Sequence, residues 1–301
     1  MTGIPPHSPD SFRIGCPVWA CEHWRGSLYR SNAPRDAWLQ QYSSVFKTVE
    51  CNSTFYALPA IDTVRRWACS VAPEFRFSLK VPRRITHDLR LVNATEPLQL
   101  FIEAAEALLE KNTLGPSFLQ LPPNFSAAES KALEVLLQAL PQHLPWALEV
   151  RHADWFDSGP HERWLTQLLT EYSIDWVIFD SRPLYSRPPA DDVEAVSQTR
   201  KPRTPLRRTV TAKHPFLRLI GRNQLDEVQP WIDEWAPIIA GWLRQGLQPF
   251  IFTHAPDDRF APEFARRLHR QIAAILPEVA LLPRFPGEQE AANASRQRSL
   301  F

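Results

Sequence analysis

The sequence predicts an α/β fold, a single (β/α)8 TIM-type barrel with a long basic insertion after strand six. Three observations predict it. Strand-like and helix-like segments alternate from one end of the chain to the other. The alternation yields eight units within 301 residues, a usual length for a barrel folded as one domain. The alternative, an open doubly wound sheet, usually begins with a Gly-rich turn, and Ile14-Gly15-Cys16-Pro17 is not one.

Residues 12–16 read as the first strand and 34–46 as the first helix, with Asn32 as a cap ahead of Pro34. Residues 48–52 form the second strand and 61–71 its helix. The third strand is 75–80, with a helix over 97–111, and the fourth is 117–121, with a helix over 127–140. The second half repeats the rhythm, with strands 146–151, 176–180, 216–220 and 249–254 and helices 159–172, 228–245 and 261–275. The sixth unit departs from it. Its strand leads into a long Pro- and Arg-rich segment. Over 182–213, Arg182, Arg187, Arg200, Lys201, Arg203, Arg207, Arg208 and Lys213 stand against Asp191, Asp192 and Glu194. Leaving the C-terminal end of a strand, this segment is expected over the face where barrel enzymes work. The polar stretch 286–301 reads as a mobile tail, so 1–285 is the single domain.

The composition, 44% hydrophobic and 22% charged, is that of a chain able to bury a sizeable core. A net charge of +1 excludes a global attraction to nucleic acid or membrane. No basic region followed by an apolar run opens the chain, and no apolar run is long enough to span a bilayer. The cytoplasm is therefore the expected location, without membrane contact. Cys16, Cys21, Cys51 and Cys69 form no CxxC pair and are expected as reduced thiols; the first three lack zinc-ligand spacing. With 29 prolines and 9 glycines, the loops are built from X-Pro turns, and no Gly-rich phosphate loop is present.

Charge collects at one end of nearly every strand. Glu50 and Asn52, Lys80, Gln120, Glu149 and Arg151, Asp180, Arg218 and His254 all stand at C-terminal strand ends. Strand side chains alternate, so Phe216 shares a side with Arg218, and Phe250 and Phe252 share one with His254. Apolar layers below a polar rim are what a barrel interior requires. Contact with water explains any one rim residue but not the repetition. Buried charges are costly unless paired, so Glu50, Lys80, Glu149, Arg151, Asp180 and Arg218 are expected to form a network, structural or with shifted pKa values. Trp19, Trp24, Phe55, Tyr56, Trp155 and Phe156 follow the first, second and fifth strands on the same face, either as ligand-pocket walls or as packing.

Several of these segments carry a resemblance. Ile14-Gly15, Trp19, His23-Trp24-Arg25-Gly26, the run from Val49 to Tyr56, the run from Phe75 to Pro82, Leu119-Gln120-Leu121-Pro122-Pro123, Glu149-Val150-Arg151-His152 and Trp155-Phe156 are similar to the YecE-like family, one of the families named for a domain of unknown function. Asp180-Ser181-Arg182-Pro183 and the terminal Ser299-Leu300-Phe301 resemble its YecE branch. The resemblance implies a TIM barrel and no established reaction. It places the family's recurring residues on Trp19, Glu50, Asn52, Thr54, Tyr56, Lys80, Gln120, Glu149, Arg151, His152, Trp155, Asp180 and Arg218. Many members carry an Asn-Asn pair at the end of strand eight; this chain reads Thr253-His254-Ala255-Pro256-Asp257 there.

The expected function is action on a sugar-like or phosphorylated small molecule by general acid/base chemistry at the strand ends. Glu149 is the expected acid or base and Glu50 its partner. Lys80 and Arg151 would stabilise negative charge, Arg218 would hold an anionic group, and Asp180 is a further catalytic candidate. Lys80 is also a Schiff-base candidate if it is desolvated. Trp19, Asn52, Tyr56, Gln120, Arg151, His152, Trp155, Arg218 and His254 are the expected substrate contacts. No metal and no cofactor is called for: Glu50, Glu149, Asp180 and His254 offer ligands, but Lys80, Arg151 and Arg218 crowd the same rim and repel a cation. The alternatives are nucleic-acid or nucleotide binding through the basic segment 182–213, or a non-catalytic scaffold. On the latter reading the Trp231, Trp235 and Trp242 face would meet a partner if exposed.

Overall fold

The computed structural model describes residues 12–298, with the side chains of 296–298 left out. The opening segment read for a targeting signal and Ser299-Leu300-Phe301 lie outside the described residues. The strands are β1 Arg13–Gly15, β2 Thr48–Cys51, β3 Arg76–Leu79, β4 Ser117–Gln120, β5 Trp146–Glu149, β6 Asp175–Asp180, β7 Phe216–Ile220 and β8 Phe250–His254. The helices are α1 Trp38–Ser43, α2 Ser53–Tyr56, α3 Ile61–Cys69, α4 Thr95–Leu109, α5 Ser130–Ala139, α6 Pro160–Glu171, α7 Asp192–Arg200, α8 Gln229–Arg244, α9 Ala261–Ile275 and α10 Pro286–Arg298. Every strand pairing is parallel, as strands separated by crossover helices require. None of the described helices is long and apolar enough to cross a membrane.

The α/β class is as expected, but the closed eight-stranded barrel is not. The strands form a six-stranded sheet, β1-β8-β7-β6-β5-β4, curled as a half-barrel, and a separate two-stranded sheet, β2-β3. Each break has a local cause. Between β1 and β2 the Tyr42 hydroxyl occupies the place of ladder bonds: it accepts from Cys16 N at 2.7 Å and donates to the Thr48 carbonyl at 3.0 Å. Between β3 and β4 only isolated bridges join Phe77 to Leu114 and Lys80 to Phe118. There Gly115 N donates to Phe77 O, Ser117 N turns the other way to Pro145 O, and Pro116 between them has no N–H to offer.

The concave side of the curled sheet carries Phe118, Ala147, Val177, Phe216, Phe250 and Phe252, one contiguous apolar cluster. Helices cover the outside. α9 buries Phe264, Ala265, Leu268 and Ile272, one stripe at helical spacing. In α8, Trp235 and Trp242 are buried with ring centroids 5.9 Å apart, so most of the tryptophan face is packing.

The insertion after β6 holds α7, which the sequence pattern did not announce. Asp191 caps it, its carboxylate accepting from Glu194 N at 2.8 Å. Glu194, its one fully buried residue, pairs with the buried Arg222 at 2.7 Å. The stretch read as a mobile tail contains α10. Its Glu288 meets Arg266 at 2.8 Å, and its Glu290 accepts from Ser31 N at 2.9 Å.

Candidate functional site

Above the apolar layer lies a layer of charge. Arg218, two residues past Phe216 and on the same side of β7, is fully buried. Its Nε and Nη2 donate to the two oxygens of Glu50, each at 2.8 Å, a bidentate pair joining β7 to β2. Its Nη1 donates to Glu149 Oε2 at 2.5 Å, reaching β5. The other oxygen of Glu149 accepts from Arg151 Nε at 2.7 Å and from Gln120 Nε2 at 2.9 Å. Glu50 further accepts from Asn52 Nδ2 at 2.7 Å and contacts His254 Nε2 at 3.2 Å. The face of the Arg218 guanidinium lies 5.3 Å from the Phe118 ring centroid and 5.6 Å from that of Phe179.

These contacts set the protonation states. Burial alone would raise the Glu149 pKa, but Arg218, Arg151 and Lys80 outweigh it and bring it to about 2. Glu50 is likewise held well below the usual carboxylate range, with Arg218 and His254 overcoming burial. Burial lowers His254 to about 4 against the pull of Glu50. Lys80 is brought down to about 7, by burial first and then by the Arg218 charge. Both carboxylates are therefore anions at neutral pH, and Lys80 titrates there.

A cavity of about 740 Å³ opens over this layer, floored by Asn52, Lys80, Gln120, Arg151, Arg218 and His254. The carboxylates of Glu50 and Glu149 lie beneath, turned to Arg218, so the floor presents cations and amides. The walls come from α7 and the residue after it (Asp192, Val193, Val196, Ser197, Arg200, Lys201) and from Asp258. Burial raises Asp258 to about 6, against the pull of Lys201. The Trp24 indole holds its loop by donating to Asp258 O at 2.9 Å. A second cavity, of about 510 Å³, is lined by Pro145, Trp146, Ile174 and His214 at the opposite, N-terminal ends of the strands.

Of the residues singled out in the sequence, Glu50, Asn52, Lys80, Gln120, Glu149, Arg151, Arg218 and His254 come together. Tyr56 stands at the mouth, 81% exposed. Asp180 does not join them: its carboxylate faces away, bonded to Arg182 and to the Trp235 indole at 2.8 Å. Trp19 packs on Trp67 and Phe77, Trp155 donates to Phe125 O at 2.8 Å, and His152 caps the turn at Asp154. Among the described residues no three His, Cys, Asp or Glu side chains gather as metal ligands. The sequence reading missed Asp258 and the α7 wall, although Arg200 and Lys201 lay in its basic segment.

The model of the family described as "Protein of unknown function DUF72" matches residues 13–290. The chain belongs to the DUF72 family. The expected YecE-like kinship holds: UPF0759 protein YecE of Escherichia coli (strain K12) is 32% identical over 273 residues, 91% of this chain and 97% of the relative. UPF0759 protein YunF of Bacillus subtilis (strain 168) is 27% identical over 163 residues, 52% of this chain and 57% of the relative. A DUF72 family protein from Enterococcus faecalis V583 superposes with a TM-score of 0.67 at 18% identity, over 87% of this chain and 95% of its own. One from Thermotoga maritima MSB8 superposes with a TM-score of 0.64 at 22% identity, over 88% and 99%. These two likenesses concern the fold.

Proposed function

We propose that this DUF72 chain is an enzyme that binds a small anionic metabolite, a sugar-like phosphate or a carboxylate, in the strand-end cavity and acts on it by acid/base chemistry. The observation that carries the reading is a floor of cations and amides above two carboxylates whose charges are balanced by Arg218 and Arg151 together, with Lys80 in addition. Among the described residues Arg151 is hydrogen-bonded only through Nε, so its two Nη groups remain for an anion. Tyr56 at the mouth offers a face for a ring. The acid/base role passes from Glu149 to Lys80: a carboxylate held near about 2 is a poor proton carrier at neutral pH, whereas an amine near about 7 is matched to it.

The basic segment supports a small ligand better than a nucleic-acid backbone. Arg182, Arg187, Arg207 and Arg208 are paired with carboxylates, and Arg203 stacks on Tyr185. Arg200 and Lys201 face the cavity. The test is thermal stabilisation of wild type and Arg151→Met by inorganic phosphate, glucose 6-phosphate, glucose and a short single-stranded oligonucleotide. Both phosphates should stabilise wild type by mass action and lose most of that effect in the variant. Stabilisation by the oligonucleotide alone, falling steeply with salt, would replace this reading with nucleic-acid binding.

A further inference from the structure

We propose that Lys80 is a covalent catalyst, its amine condensing with an aldehyde or ketone that also carries a phosphate or carboxylate. The proposal rests on the anion-binding reading above for the charged group and adds the carbonyl.

Every other charged group of the cluster is bonded to a partner. Lys80 is 7% exposed, yet among the described residues its Nζ has neither a hydrogen bond nor a carboxylate at ion-pair distance. It faces the Phe55 ring, 4.1 Å from the centroid, and lines the open cavity. An ammonium at that depth with only ring faces against it and no hydrogen-bond acceptor is costly, whereas a neutral amine is far less so. The backbone beneath it is fixed: Lys80 N donates to Cys51 O at 3.3 Å, and Lys80 O accepts from the Thr54 hydroxyl at 2.6 Å. A desolvated amine on a rigid strand end, open on one side, is a nucleophile in place.

The amine lone pair attacks the carbonyl carbon, the C=O π pair moves to oxygen, and one of the two amine protons passes to that oxygen. The carbinolamine hydroxyl leaves with the second amine proton as water while the C=N bond forms. Amine and carbonyl give imine and water, with no oxidant or reductant, and a proton from solvent water converts the imine to its iminium. The Phe55 face then meets a cationic iminium. The free Nη groups of Arg151, together with Arg200 and Lys201, are placed to hold the anionic end.

The test is reductive trapping on the full chain at neutral pH. Glyoxylate serves as an anionic aldehyde and acetaldehyde as a neutral one, each with cyanoborohydride, and modified lysines are mapped by peptide mass spectrometry. Lys80 should be modified at least about tenfold faster than Lys47, Lys111, Lys131 or Lys213, and about threefold or more faster than Lys201, which burial lowers only to about 8, because Lys80 holds the largest free-amine fraction. Arg151→Met should slow glyoxylate more than acetaldehyde, since the Arg151 charge also helps keep Lys80 neutral; Lys80→Arg should abolish the selective label. Labelling of Lys80 no faster than the other lysines overturns the proposal, even where phosphate stabilises the protein. Equal selective labelling by both aldehydes, with Arg151→Met silent and phosphate without effect, keeps the imine and overturns the anion reading.

Discussion

Arg218 and Glu50 face each other across the interior, two donors on two oxygens at 2.8 Å each, and so tie the six-stranded sheet to the two-stranded one. Beside the backbone bonds that still cross the broken ladders, such as Glu50 N to Cys16 O at 3.1 Å and Val81 N to Phe118 O at 3.0 Å, this buried pair joins the sheets through side chains. Arg218→Met leaves Glu50 and Glu149 buried without their shared cation. Removing one partner of such a pair costs about 3–5 kcal/mol. Urea denaturation should show that loss at neutral pH, and Glu50→Gln should cost less in the Arg218→Met background than alone.

Acid should unfold the protein in two stages. The histidines come first: burial lowers His254 and His269 to about 4 from an ordinary 6.5. A depressed histidine favours the folded state above its unfolded value, and that stability is lost as pH falls from 6.5 towards 4. Glu149 comes second: its stability is complete above the ordinary 4.5 and is lost as pH falls towards about 2. His254→Gln should flatten the upper stage by up to about 3 kcal/mol and leave the lower one in place, as read from stability against pH.

Strand parity made the cluster legible. Phe216 predicts the side of Arg218, and Phe250 and Phe252 that of His254, because alternation is a local property of a strand. Asp180 was expected in the network, but the same parity applied to β6 removes it: Val177 and Phe179 point inward, so Asp180 points out to Trp235. The broken ladders were not legible, because each depends on one atom, the Tyr42 hydroxyl or the missing N–H of Pro116. Nor was α7, whose buried contact is the Glu194–Arg222 ion pair rather than an apolar stripe. The aromatic residues near the rim gave an ambiguous signal, since Trp19 and Trp155 serve packing while Tyr56 remains exposed.

Lys80 carries a stability cost that its proposed role explains. Its folded value, about 7, lies below the ordinary 10.5, so the folded state disfavours the charged form. That penalty is fully present at low pH and fades as pH rises from 7 towards 10.5. Lys80→Met should therefore stabilise the protein at neutral pH by about 2–4 kcal/mol. The difference between wild type and variant should shrink as pH rises to about 9. A variant that is no more stable than wild type would mean that Lys80 has a partner in solution.

The α7 wall hangs on Glu194, which also accepts from Asn223 N and Ala190 N at 2.8 and 2.9 Å. Glu194→Ala takes from Arg222 its fully buried carboxylate, leaving it Glu227 at 3.1 Å and the Pro188 carbonyl, and releases two backbone donors. Trypsin cleavage after Arg200 or Arg203 should then quicken by at least about tenfold, with global unfolding changing less, because the opening is local. Ligand stabilisation should weaken in the same variant, since Arg200 and Lys201 leave the cavity with the helix.

Gly15 is required for space rather than for a special backbone angle. A Cβ there would overlap the Thr48 carbonyl and stand 2.8 Å from the Tyr42 hydroxyl. Neither neighbour can yield, because that hydroxyl is held by Cys16 N and holds Thr48 O. Gly15→Ala should cost at least about 3 kcal/mol by overpacking. Tyr42→Phe keeps the ring and strands one N–H and one carbonyl, for about 1–3 kcal/mol each. Combined, the two changes should cost less than their sum, since a β1 already pushed off Tyr42 no longer has that bond to lose. Full additivity in urea denaturation would show that the Tyr42 bridge does not set the spacing of β1 and β2.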